Sequence, residues 1–202
     1  MPVIIDAGPA LNFLATRNEN ILLRSVGRLS APETVQTELH DKAGRDARFA
    51  PAPAVWTRLV QHKYVSVLFD DETPELDAAV QQISHQPLGI RRSQAKDLGE
   101  LMVIAHAVTI AEQGTDVTVI IDDRNGVDMA AAQARRLNRL KVQGKPYGAL
   151  TLTDTPHILK SAVGLSLIAD KPHMRKVYEA LRRCDDGLVH ITQTDLLDSP
   201  PW

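Results

Sequence analysis

The chain has a single cysteine, Cys184, among its 202 residues. A lone thiol excludes an internal disulfide framework and a zinc site built from cysteines, and it suits a reducing cytoplasm. Aromatic residues are scarce at 4%, so platforms on which bases could stack are few. Long hydrophobic runs are missing as well: the longest, LMVIAHAVTIA at 101–111, is too short to span a bilayer. The opening MPVIIDAGPA meets Asp6 after only three strong hydrophobes and predicts no signal peptide. Nor does one sign of charge dominate. With 23 Lys and Arg against 25 Asp and Glu, the net charge of −2 points to neither nucleic acid nor membrane, although a balanced total can hide local asymmetry. There is no internal repeat and no low-complexity tract.

What is present suffices for one domain, because 44% hydrophobic residues over 202 positions can bury a proper core. Val3–Ile5 has the pattern of a short buried strand, and Gly8-Pro9 then signals a helix over ALNFLATR, 10–17. Ser30-x-x-Glu33, with Pro32 between, has the form of a capping box heading a helix that Gly44 ends. A Pro/Ala linker, 50–54, leads to a short helix at about 56–62. YVSVLFDD, 64–71, alternates as a strand, TPELDAAVQQIS is an amphipathic helix, HQPLGIRRSQ a loop, and 96–112 a strongly apolar helix. The β-branched run 117–121 is a further strand, followed by a helix from about 127 to 140 and by the strand ALTLT, 149–153. Two more helices are predicted near 155–163 and 172–183. Strands alternating with helices predict an α/β fold in three layers, α/β/α, around a parallel sheet. The expected organisation is a single domain, with a core of about 1–154 and a helical C-terminal extension of about 155–202.

Acids stand at four places on these elements. Asp6 follows the first strand and Asp122-Asp123 follow the strand 117–121, so both sites lie on the carboxyl-terminal edge of a parallel sheet, where ligands bind. Glu38 shares a helical stripe with Val35 and Leu39. Glu100 begins a stripe continued by Val103, Ile104, Ala107 and Ala111, with Asp97 one turn earlier. Taken singly, each acid has an ordinary role: a helix cap for Asp6, a solvated helix acid for Glu38, a favourable dipole position for Glu100. Together they would repel one another on buried faces and would need a cation.

The stretches VIIDAGPALNFLA, APETVQTEL, DLGELMVIAHA and VIIDDRNGVDMAA resemble, in order, the motifs of PIN-domain ribonucleases, including VapC-type toxins. A further stretch, GALTLT followed by ILKSAVGLSLI, is similar to a longer-tailed subgroup, and the resemblance covers roughly residues 3–185. Matched motif by motif, it implies Asp6, Glu38, Glu100 and Asp123 as catalytic acids, with Asp122 an adjacent candidate because the Asp-Asp-Arg form leaves the register open. Gly8 departs from the pattern, since many members carry there a hydroxyl residue that could steady a carboxylate or a metal-bound water.

Carboxylates are hard ligands that suit Mg²⁺ or Mn²⁺ better than zinc. Asp6 and Glu100 are expected to ligate such an ion first, then Asp122 or Asp123, with Glu38 acting directly or through water. The resemblance implies endonucleolytic cleavage of RNA and the role of toxin in a bacterial toxin–antitoxin pair, while the lone cysteine and the short apolar runs predict a cytoplasmic location without membrane contact. The resemblance also leaves room for a cognate antitoxin and for a homodimer. RNA needs positive charge nearby. Arg124 follows the acid pair, and Arg135, Arg136 and Arg139 lie in a segment without acids, so these four are the expected RNA contacts. Against them stands the ordinary reading of a solvated basic helix face. His106, two turns into the apolar helix, is expected to be a satisfied core histidine. The competing function is a PIN-like module that docks RNA or protein without cutting. A phosphotransfer receiver fits less well, because no acid pair follows the first strand.

Overall fold

Short β-branched and apolar runs supply five strands: β1 (Val3–Ile5), β2 (Leu29–Pro32), β3 (Val65–Leu68), β4 (Val117–Ile120) and β5 (Leu150–Thr153). In the computed structural model, which describes residues 1–185 and 187–198, they form one all-parallel sheet in the order β3-β2-β1-β4-β5. Ile4 pairs with Ser30 on one side and with Val119 on the other. β1 and β4, buried along their whole length, are the centre of the sheet. Connections run outward from β1 to β3 and then return to β4, so the order reverses between β1 and β4. In open parallel sheets that reversal leaves a crevice beyond the carboxyl ends of the strands.

The fold is α/β, with helices covering the sheet. The helices are α1 (Ala7–Ala15), α2 (Glu19–Val26), α3 (Glu33–Arg45), α4 (Ala52–Gln61), α5 (Pro74–Ser84), α6 (Leu88–Arg91), α7 (Leu98–Glu112), α8 (Arg124–Val142), α9 (Thr155–Gly164) and α10 (Lys171–Cys184). α7 is apolar on nearly every side, since it packs on β1, β2, β4 and β5 while α3, α5 and α8 flank it. On another part of the molecule α1 meets α4 and α10, and α2 meets α9. One hydrophobic cluster runs from Val3 through Leu196. Within the expected extension, residues 186 and 199–202 lie outside the described residues. No helix among the described residues is long and apolar enough to cross a membrane.

The structure corrects several boundaries. Ser30 is not a helix cap; it lies in β2, and Pro32 ends that strand rather than sitting in a helical turn. Glu33 turns away from Ser30 and accepts the backbone N–H of Asp70 at 2.9 Å. α1 starts at Ala7 because Asp6 caps it, and α8 starts at Arg124 because Asp123 caps it through the N–H groups of Asn125 and Gly126. Much of the Pro/Ala linker is the first turn of α4, which tolerates Pro53 because N–H groups there have no intrahelical acceptor to lose. The segment 85–94 contains the single turn α6, and α2 has no counterpart in the sequence expectations.

Candidate functional site

Asp6, Glu38, Glu100, Asp122 and Asp123 all line one cleft of about 680 Å³ beyond the carboxyl ends of β1 and β4. Each reaches it for a local reason. Asp6 is the N-cap of α1, and its Oδ2 accepts the N–H of Gly8 at 3.2 Å. Glu38 rises one turn after Val35 on α3 and Glu100 sits in the first turn of α7, both beside fully buried apolar neighbours. Two glycines allow the close approach. A side chain at Gly99 would come within 2.4 Å of Glu38 Oε2 and 3.7 Å of Asp6 Oδ1. One at Gly126 would press Ile121 at 2.8 Å and the stem of Glu100 at 3.4 Å.

Two carboxylate oxygens in this cleft, Asp6 Oδ1 and Glu100 Oε2, are buried with no hydrogen-bond partner among the described residues. Buried acceptors of this kind are costly unless something positive or a donor reaches them. The titration behaviour follows. Burial, reinforced by the charge of Glu38, pushes the Asp6 carboxyl up to about 6. Burial and then the charges of Asp123, Asp6, Asp97 and Glu38 push Glu100 up to about 7. These are signs of a crowded anionic site.

Asp122 belongs to a different arrangement. Its Oδ1 accepts the N–H of Thr155 at 2.8 Å and its Oδ2 the Thr155 hydroxyl at 2.6 Å, so it ties the tip of β4 to the head of α9. Burial nevertheless raises it to about 6, with Asp185 and Asp154 adding to the rise against the Thr155 hydrogen bonds. Asp123 keeps one oxygen for capping α8 and is exposed. Its charge is the first after burial to act on Glu100.

Lys42 was not anticipated. One turn after Glu38 on α3, its ammonium meets Glu38 Oε1 at 2.7 Å in the lining of the cleft. Burial works against its charge, but the Glu38 hydrogen bond and the fields of Glu38, Asp6 and Glu100 outweigh it and raise its pKa. The Glu-x-x-x-Lys spacing was the available signal. Asp97, also in the lining, holds a left-handed backbone with φ of 56° and accepts a hydrogen bond from Asn125 at 3.3 Å.

The expected RNA contacts are not grouped. Arg124 lines the cleft. Arg135, Arg136 and Arg139 lie three to four turns further along α8, roughly 16–22 Å from its start at 1.5 Å per residue. That end of the helix leads to the beginning of β5, on the opposite edge of the sheet. Arg136 is moreover committed to Glu112 at 2.5 Å and to Gln133. His106 binds Asp70 Oδ1 at 2.8 Å, outside the cleft lining.

Among the described residues no three His, Cys, Asp or Glu side chains form a ready-made metal cage. A hard cation such as Mg²⁺ needs none, since it binds through one or two carboxylates and keeps several waters. Two unpartnered carboxylate oxygens amid further acids fit that demand. Set against family models, curated proteins and solved structures, the chain matches none.

Proposed function

We propose that the cleft is the active site of a metal-dependent endoribonuclease of the PIN-domain kind. The observation that carries this reading is the pair of buried, unpartnered oxygens of Asp6 and Glu100 at the point where the strand order reverses. Asp6 and Glu100 would hold the ion, with Asp123 and Glu38 contributing directly or through water. Bound there, Mg²⁺ or Mn²⁺ supplies a Lewis acid that activates water and offsets charge on a leaving 3′-oxygen. Lys42 and Arg124, from α3 and α8, supply positive charge to a phosphodiester entering the cleft. Asp122 braces the wall through Thr155. The order of acid motifs extends the proposal to the toxin of a bacterial toxin–antitoxin pair, acting on RNA in the cytoplasm, with an antitoxin as protein partner and a homodimer as a compatible assembly.

The Lys42–Glu38 ion pair supports a second reading, a module that binds RNA or protein without cutting, because the acid cluster already carries a cation of its own. Gly8 in place of a hydroxyl residue points the same way. Incubating a structured RNA with wild type and Asp6→Asn, with Mg²⁺ or with chelator, separates the two. The nuclease reading expects Mg²⁺-dependent cleavage by wild type alone. Equal cleavage by both proteins would indicate a contaminant, and RNA binding without cleavage would favour the module.

A further inference from the structure

A second groove, of about 540 Å³, opens on the other edge of the sheet, where β2 and β3 begin. It lies between the end of α2, the Gly27-Arg28 turn into β2, and the His62-Lys63-Tyr64 turn from α4 into β3. Arg24, Arg28 and Arg58 line it with Tyr64, over Leu23 and Leu59. In a chain of net charge −2, this is a local concentration of positive charge. No ion pair engages Arg24 or Arg28 among the described residues, and both are exposed.

Two further features give the groove more than charge. Tyr64 is 48% exposed, an open ring in a chain with few aromatics. Glu19 is the only acid in the lining among the described residues. Its Oε1 accepts from Arg58 at 2.7 Å, while its buried Oε2 has no partner among the described residues. An acceptor without a donor suits an N–H group, and the exocyclic amines of nucleobases supply one. Cations for phosphate, an aromatic ring for a base and a carboxylate for a base amine are three contacts by which proteins hold nucleotides.

We infer that this groove binds a nucleotide unit of a single-stranded nucleic acid, with Arg24 and Arg28 on phosphate and the base against Tyr64. The site is separate from the acid cleft and does not depend on cleavage there. Pairing with Arg58 keeps Glu19 from repelling the strand, and the lack of other acids in the lining leaves the field positive.

The test is fluorescence anisotropy of a labelled short single-stranded RNA, in chelator so that the acid cleft stays free of metal. The Arg24→Glu/Arg28→Glu protein is expected to bind at least about tenfold more weakly, with a slope of log affinity against log salt shallower by about 1.4, the loss of two phosphate contacts on a single strand. Tyr64→Ala is expected to weaken binding about tenfold with the slope unchanged, as for loss of one stacked base. All three residues are exposed, so melting temperatures should match wild type and serve as the folding control. Free guanosine monophosphate is expected to compete far more weakly than the unlabelled strand; competition as strong as the strand's would show a mononucleotide site and overturn the inference. Wild-type affinity in both variants, or no RNA binding by wild type, would overturn it. A charge-reversal effect without a Tyr64 effect would reduce the groove to a nonspecific anion surface and equally overturn the inference.

Discussion

Asp70 and Asp6 stand just beyond the carboxyl tips of β3 and β1, and they are equally hidden, at 7% and 6% exposure. Burial pushes both carboxyls upward, yet they end on opposite sides of the ordinary value. Asp70 accepts the N–H and the hydroxyl of Thr34 at 2.7 and 2.6 Å and meets His106 at 2.8 Å; these partners outweigh burial and hold it below the usual range. Asp6 has two backbone N–H groups, lies in the field of Glu38, and rises to about 6 with one oxygen unpartnered. Depth therefore does not decide which way a buried carboxyl shifts. What decides it is whether the surrounding chain supplies donors or withholds them.

The largest expected effect comes from breaking the satisfied member. Asp70→Ala leaves Thr34 and His106 without their partner and removes the tie between β3 and α3, costing about 3 kcal/mol. That corresponds to a fall of roughly 6–12 °C in Tm, read by thermal unfolding; a fall of under about 2 °C would show that Asp70 is dispensable. Asp6→Asn should act in the other direction. It removes a charge that burial and Glu38 oppose, so without metal at pH 8 the Tm should rise by about 3–6 °C. A clear fall would mean that Asp6 has a stabilising partner.

The pH dependence separates the two acids next. Asp6 and Glu100 have folded values raised to about 6 and about 7, so their contribution to stability is complete below their ordinary carboxylate range and is lost as pH rises through 6 to 7. Asp70 is lowered, so its contribution is present above that range and is lost as pH falls through the folded value. Metal-free protein should therefore lose stability between about pH 4 and 8, less so in Asp6→Asn, while Asp70→Asn should flatten only the acid arm. The smallest effect is expected of Lys42→Met. Loss of a half-exposed ion pair with Glu38 should cost about 0.5–1 kcal/mol without metal and should enlarge the rise in Tm on adding Mn²⁺, because the cluster loses its own cation. An Mn²⁺ response equal to that of wild type would show that Lys42 does not compete for the site.

The sequence made parts of this legible and hid others for identifiable reasons. β1, β4 and α7 could be recognised because they are largely buried and rich in apolar residues, and the acids at their ends followed once a parallel sheet was inferred. β2 was hidden because four residues ending in proline, with Ser30 three before Glu33, imitate a helix cap; its strand pairing comes from β1 and β3, both remote in sequence. The capture of Asp122 by Thr155 spans 33 residues and leaves no local pattern. The scattering of the arginines depends on which end of α8 faces the cleft, a property of topology rather than of charge count. Lys42 could have been found from its spacing to Glu38.

The most direct test of the central claim, that the unpartnered acids of the cleft form a divalent-cation site, is the change in Tm on adding Mg²⁺ or Mn²⁺ at pH 8, for wild type and Asp6→Asn side by side. At an ion concentration about a hundredfold above Kd, binding to the folded state adds about 2.7 kcal/mol, roughly 5–10 °C for a chain of this length. That rise is expected in wild type, and its loss in Asp6→Asn. Equal responses in the two proteins, or none in wild type, would contradict it.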